Sequence, residues 1–457
     1  MPAHPVNHPS QHRASSDYFS SLQDRKSTEE PAGMGQNLSL RDARHIWHPL
    51  TQHKTHGMAH GIARAQGVYL YDTQGKAYLD AISSWYTAVY GHCNPQITRR
   101  VAAQMEELDQ VVFSGFTHEP AVSLSEKLLG HLPGNQEKVF FSENGSTAVE
   151  VALKIALQYH FNLGAPRKIL LAFESGFHGD TFGALSVSGL SVYNGPFEGM
   201  ALEVRRIPVP DDPDAAQSLA TLEAILAEAP VAGFVYEPLV QGAAAMKTHD
   251  AAGLDKILAR LRETGALLIA DEVMTGFGKT GTNFASAQLE TQPDLICLSK
   301  ALTAGLLPMG ITSCSAQVYN AFLSDSVEKG FFHGHTYTAN PLACTAALAA
   351  LELLETAEMQ SNISRIAGAH RDFETRVQSH HKVLATRRIG VIFAMDLDVE
   401  TDRYGSLRDI LYGFFMERGI YLRPLGNTVY ILPPYITTDD ELARIYQAME
   451  EVLEFIS

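Results

Sequence analysis

From about residue 138 the chain repeats one pattern. Short apolar runs, KVFFS, KILLAF, AGFVYEP, ALLIADE and DLICLSK, alternate with segments long enough for helices. Runs of about 4–8 apolar residues bounded by polar punctuation read as buried strands, and the intervening STAVEVALKIALQYHF carries enough apolar positions for a buried helix. Alternation of this kind builds βαβ units, so the expectation is an α/β fold whose mostly parallel sheet is covered by helices on both faces. In such sheets ligands bind beyond the carboxyl ends of the strands. Those strand ends are therefore where chemistry is to be sought.

The flanks differ. Residues 1–38 are rich in Pro, Ser, His and charge without a sustained period, which reads as a disordered arm. Around GVYLYDTQGKAYLDA, Val68 to Asp72 and Ala77 to Leu79 are strand-like with Thr73-Gln74-Gly75 as the turn, a hairpin. The stretch SSWYTAVYGHCNP that follows is unusually aromatic for a loop. The last hundred residues, with TAALAALELLE, GVIFAMDL, DILYGFFMERG and YLRPLGNTVYILPPY, read as a separate α+β unit. A chain of 457 residues exceeds the usual single core. The expected division is an arm over 1–38, an N-terminal part of a small domain over 39–90, a large domain over 91–345 and the rest of the small domain over 346–457.

Charge and cysteine content narrow the function. A formal net charge of −16 argues against a nucleic-acid surface, which needs clustered Lys and Arg. Cys93, Cys297, Cys314 and Cys344 form no C-x-x-C pair, which fits a reducing cytoplasm better than a disulfide framework. No uninterrupted apolar stretch of about 18 residues suggests a membrane span. His45, His48, His53, His56 and His60 crowd one segment without a metal-ligand spacing, so no metal is expected. GFGKTG hints at a phosphate loop, but the glycine that motif requires five residues before Gly278 is Val273.

Three strand ends carry polar groups that make sense together. Asn144-Gly145-Ser146-Thr147 lies between a strand and a helix, where free N–H groups suit a phosphate; taken alone it is equally an ordinary helix cap. Asp271 and Glu272 close ALLIADE, and extended geometry sends their side chains to opposite faces. One can face a ligand while the other braces the loop; a buried acid there requires a partner. Lys300 ends DLICLSK, where it either snorkels to solvent or meets a ligand. Pyridoxal phosphate needs all three: a Schiff-base lysine, a carboxylate on the pyridinium nitrogen and an anion cradle.

With these residues in place the chain resembles the class III aminotransferases of the fold-type I pyridoxal phosphate enzymes over residues 42–455. The likeness is carried by HIWHPLT, SSWY, GFTHEPA, NGSTAVEVALKIALQYH, SGFHGDTFGALSV, EPLVQGA, DEVMTGFGKTG, SKALTAG, HGHTYTANPLAC and YLRPLGNTVYILPPY. The resemblance implies that Lys300 is the Schiff-base lysine and carries the proton, and that Asp271 partners the pyridine nitrogen. It further implies that Gly145 and Ser146 cradle the phosphate, that Phe177 stacks on the cofactor and that Asp180 supports the site. It also implies a homodimer, His335 and Thr336 serving the neighbouring subunit's phosphate. Within the family the chain looks most like the biotin-pathway group, where Trp85 and Tyr86 form an apolar wall and Arg423 pairs with the substrate carboxylate, with Gly334 and Tyr430 lining the same cavity. The implied reaction is amination of 8-amino-7-oxononanoate, with S-adenosylmethionine favoured over lysine as donor. Another ω-aminotransferase reaction, from a diamine or β-amino acid to a keto acid, is the alternative. Two departures bear on substrate choice: Leu50 stands where the group has Tyr or Phe, and Lys279 where it has Arg.

Overall fold

The computed structural model describes residues 38–189, 195–403 and 405–456. All but the last residue of the expected arm over 1–38 lies outside the described residues. Two compact units are distinguished, the first ending at Gly61 and the second starting at Ile62. In the first, helix Leu38–His45 is followed by turns, and His48 Nε2 lies 2.7 Å from Asp42 Oδ2.

The second unit is built on a seven-stranded sheet. Across it the strands run Gln136–Ser142, Gly310–Ser315, Leu295–Leu298, Leu267–Asp271, Val231–Tyr236, Ile169–Phe173 and Val204–Ile207. All the apolar runs named above are in it. Only Gly310–Ser315 runs against the others. Its sequence, GITSCS, is too polar to announce a buried strand, yet every residue is buried. The hydroxyls are satisfied locally, Thr312 Oγ1 donating to Ala148 O at 2.7 Å and Ser313 Oγ to Gln136 Oε1 at 2.7 Å, so their burial carries no desolvation penalty of the unpaired kind. The edge strand Val204–Ile207 hides behind two arginines in the same way.

Side chains alternate between the two faces with period two. Leu267 and Ile269 pack on helix Gly145–Asn162 with Leu170, Ala172 and Val235. Leu268 and Ala270 join the other core with Phe173, Phe234 and the helix Ala251–Glu263. Each fully buried Leu, Ile or Phe contributes roughly 1.5–3 kcal/mol, so both faces resist slippage of the register. The common direction of these strands gathers the residues just past Ser142, Tyr236, Asp271 and Leu298 along one edge.

The hairpin is present: Tyr69–Asp72 pairs antiparallel with Ala77–Asp80 across a turn containing Gly75 at φ +87°. Ala77–Asp80 also pairs in parallel with Ile420–Tyr421. Residues from opposite ends of the chain thereby share one four-stranded sheet, which brings the aromatic stretch after Asp80 beside Tyr421 to Tyr430. A three-stranded antiparallel sheet, Val383–Ile389, Ile392–Leu397 and Thr428–Ile431, and the helices Ser406–Glu417 and Asp439–Phe455 complete this region.

Candidate active site

Asp271 and Glu272 part as strand geometry requires. Asp271, 3% exposed, accepts a hydrogen bond from His178, whose Nδ1 lies 2.7 Å from Oδ2, and Val273 N–H donates to Oδ1 at 3.1 Å. Burial disfavours the charged imidazole of His178, but the hydrogen bond and charge of Asp271 outweigh it and raise its pKa. The other ring nitrogen, Nε2, is buried without a partner among the described residues. Glu237, one residue beyond Val231–Tyr236, joins this buried group: it accepts from Phe177 N–H at 3.1 Å and Gly242 N–H at 3.0 Å. Its carboxyl is pushed up to about 7, chiefly by burial and further by the charge of Asp271, against the opposing pull of His178. Neither His178 nor Glu237 was singled out from sequence. Glu237 ends the run AGFVYEP, so the strand-end rule that picked Asp271 would have picked it too.

Glu272 faces away and braces the following loop. It accepts from Thr275 Oγ1 at 2.6 Å, Ser286 N–H at 2.7 Å and Ala285 N–H at 3.1 Å. Glu272→Ala strands three buried donors, each worth roughly 1–3 kcal/mol when left unsatisfied. We expect a loss of about 4 kcal/mol in urea unfolding; a loss under about 1 kcal/mol would show that the loop stands without it. Lys279 in the same loop is also turned inward. It is fully buried, and its ammonium donates to Gly276 O at 2.9 Å. Burial, with repulsion from Lys300 added, holds its pKa well below that of an ordinary lysine.

Lys300 follows strand Leu295–Leu298 at φ +46°, a left-handed conformation unfavourable for a residue with a side chain. Its ammonium is 5.2 Å from the centre of the Tyr86 ring and makes no hydrogen bond or ion pair among the described residues. Burial lowers its pKa, opposed by the charges of Asp271 and Glu237. The Tyr86 hydroxyl donates to that of Tyr430 at 2.8 Å, and the Arg423 guanidinium is 5.1 Å from the Trp85 ring. Lys300, Tyr86, Tyr430, Trp85 and Arg423 thus form one connected wall. Trp85 and Tyr86 belong to a short turn, Ser83–Tyr86, in which all four residues have positive φ, from 44° to 72°. Such a conformation costs roughly 1–2 kcal/mol per residue.

Helix Gly145–Asn162 begins at the same sheet edge. Asn144 caps it in a capping box with Thr147, so the Gly145 and Ser146 N–H groups keep no intrachain partner among the described residues. A side chain at 145 would meet Val273 Cγ1 at 2.8 Å, which is why glycine stands there. Asp180 N–H donates to Ser146 Oγ at 3.2 Å, tying SGFHGDT to this helix start. Phe177 lies half-buried in the same loop. Gly334, His335 and Thr336 are elsewhere on the chain: His335 Nδ1 is 3.0 Å from Glu143 Oε1, Thr336 O accepts from Gln110 Nε2 at 2.9 Å, and Gly334 and Thr336 are exposed. No hydrogen bond joins them to Ser146 or Lys300 among the described residues.

A buried carboxylate backed by histidine suits a protonated aromatic nitrogen, the free N–H groups at a helix start suit a phosphate, and an amine of lowered pKa without a partner suits a carbonyl. The residues present fit pyridoxal phosphate on all three counts. They define a pyridoxal phosphate-dependent transferase fold and site.

The profile described as aminotransferase class III matches residues 51–453. The chain belongs to the class III aminotransferases. It is 44% identical to the adenosylmethionine-8-amino-7-oxononanoate aminotransferase of Synechococcus elongatus, over 90% of this chain and 99% of that one. The protein of the same name from Helicobacter pylori is 34% identical, with 92% and 98% covered. Among solved structures, the crystal structure of adenosylmethionine-8-amino-7-oxononanoate aminotransferase from Methanocaldococcus jannaschii superposes with a TM-score of 0.86 at 31% identity, covering 91% of this chain and 98% of that one. An ω-transaminase from Pseudomonas jessenii superposes with a TM-score of 0.85 at 27% identity, covering 92% and 99%.

Proposed function

We propose that this chain aminates 8-amino-7-oxononanoate to 7,8-diaminononanoate in biotin biosynthesis, with S-adenosylmethionine as donor, in the cytoplasm. The observation that carries the reading is the wall from Arg423 over Trp85, then Tyr86 and Tyr430, to Lys300. It sets a carboxylate-binding cation and an amine at the two ends of an aromatic surface, the arrangement wanted by an acceptor with an acid at one end of an alkyl chain and a ketone at the other. The names of the relatives point to the same substrate.

Pyridoxal phosphate, when bound, supplies a conjugated ring that takes up the electron pair left when a substrate C–H bond breaks. Asp271 would face the ring nitrogen with its carboxyl group, and His178 holds Asp271. The Gly145 and Ser146 N–H groups, with the helix dipole, would bind the phosphate. Phe177, half-buried in the loop tied to this helix start, would pack against the ring. Lys300 Nζ, whose charged form burial disfavours, is placed to take the proton from the substrate carbon and return it. Donor and acceptor use this one pocket in turn, so the cycle is ping-pong. The enzyme works as a homodimer in which His335 and Thr336 serve the other subunit's phosphate. The exposed Phe332 and Tyr337 beside them support this, being large apolar groups left bare in one chain.

Incubating the purified protein with the amino-ketone and each donor tests the reading. Diamine formed with S-adenosylmethionine supports it, diamine formed only with lysine moves the donor, and none with either overturns it. Arg423→Ala removes the carboxylate partner: kcat/KM for the amino-ketone is expected to fall about 100-fold, mostly through KM, as loss of a charge-assisted pair costs about 2–5 kcal/mol. Steady-state kinetics checks this, and an unchanged KM would place the substrate acid elsewhere.

A further inference from the structure

Four consecutive left-handed residues without a glycine do not form unaided; left-handed conformations are met singly, mostly at Gly, Asn or Asp. Something must hold Ser83–Tyr86. The surroundings show what does. Asp80, fully buried, accepts from Ile82 N–H at 3.1 Å through Oδ1 and from Ser84 Oγ at 2.9 Å through Oδ2, and Oδ2 lies 2.8 Å from His92 Nε2. Ser83 Oγ donates to Leu432 O at 2.8 Å, and Thr87 Oγ1 to Ser84 O at 2.9 Å. The buried carboxylate therefore reaches both the backbone entering the turn and a side chain within it. Because Trp85 and Tyr86 are left-handed themselves, relaxing them to ordinary φ would swing the indole off Arg423 and the phenol off Tyr430 and Lys300.

We infer that Asp80, Ser84 and His92 are positioning residues that hold this left-handed turn and thereby set the acceptor-binding wall. They act on recognition of the long apolar acceptor, leaving the proton-transfer groups untouched. The kinetic part rests on the amino-ketone reading above; the optical part does not.

Position 84 offers a test that a general stabilising role would not pass. Alanine deletes the hydroxyl and keeps the left-handed penalty, whereas glycine deletes the hydroxyl and removes the penalty. Ser84→Ala is expected to raise KM for the amino-ketone about 10-fold with kcat within about 2-fold, and Ser84→Gly to raise it no more than about 3-fold. Asp80→Asn should follow the alanine variant. The chain has two tryptophans, Trp47 and Trp85. In a Trp47→Phe background, acrylamide quenching therefore reports Trp85 alone, without added substrate. Quenching should rise in Ser84→Ala and stay near the background value in Ser84→Gly. Equal behaviour of both variants and the Trp47→Phe parent, or glycine worse than alanine, overturns the inference. If Asp80→Asn does not fold, the two Ser84 variants decide. If the unaltered protein makes no diamine, the acceptor reading fails and quenching alone decides this one.

Discussion

Lys300→Ala is expected to lower the rate of diamine formation by about 1,000-fold or more while leaving the unfolding midpoint within about 2 °C of the parent. The asymmetry follows from the surroundings of the ammonium. It has no hydrogen-bond or ion-pair partner among the described residues, and burial already works against its charge, so little stability is lost with it. Alanine also inherits the same left-handed φ of 46° rather than a new strain. Lys300→Arg separates charge from proton transfer. A guanidinium keeps the positive charge but cannot give up its proton near neutrality, so the arginine variant should be as inactive as the alanine variant. Either variant retaining more than a tenth of the parental rate would remove Lys300 from the chemistry.

Asp271→Asn should lower the same rate by about 100- to 1,000-fold, the range seen when one preorganised electrostatic group is removed from a developing charge. Unlike the lysine variant it should also destabilise, because His178 is left buried beside a neutral amide. Breaking a buried pair in this way costs about 3–5 kcal/mol. The pH dependence has a definite sign. The pKa of His178 is raised in the folded protein above its ordinary value of 6.5. The stability it draws from Asp271 is therefore fully present below about 6.5 and fades as pH rises through the raised value. The stability gap between parent and Asp271→Asn should be widest near pH 6 and narrow towards pH 9. Glu237 and Lys300 face the same pair, so the quantity to follow is the difference between the two proteins by urea titration at each pH. A gap that stays constant with pH would mean that His178 is neutral throughout.

Much of the sheet is legible in the sequence, because buried parallel strands are nearly all apolar and their polar ends stand out. Asp271, Glu272 and Lys300 stand out as polar strand ends, and alternation sends the two acids to opposite faces; which of them faces the cofactor came only from the family resemblance. Gly310–Ser315 was not visible, since its hydroxyls find partners that only the folded chain supplies. His178 lies in a loop, where no periodicity points, and its link to Asp271 spans 93 positions. Lys279, a departure expected to bear on substrate choice, is turned inward by the packing of its loop, which the sequence does not announce. The left-handed turn was the least legible feature, because its usual sequence sign is glycine and SSWY has none.

The pairing of Ala77–Asp80 with Ile420–Tyr421 also dictates an order of assembly. The seven strands of the main sheet all lie between residues 136 and 315, so the cofactor-facing edge can form while the remainder of the chain is still on the ribosome. The wall made by Trp85, Tyr86, Arg423 and Tyr430 cannot. It must wait for a loop of about 340 residues to close, a slow and entropically costly contact. During synthesis the sheet edge that carries Asp271 can therefore form before the aromatic wall beside Tyr430.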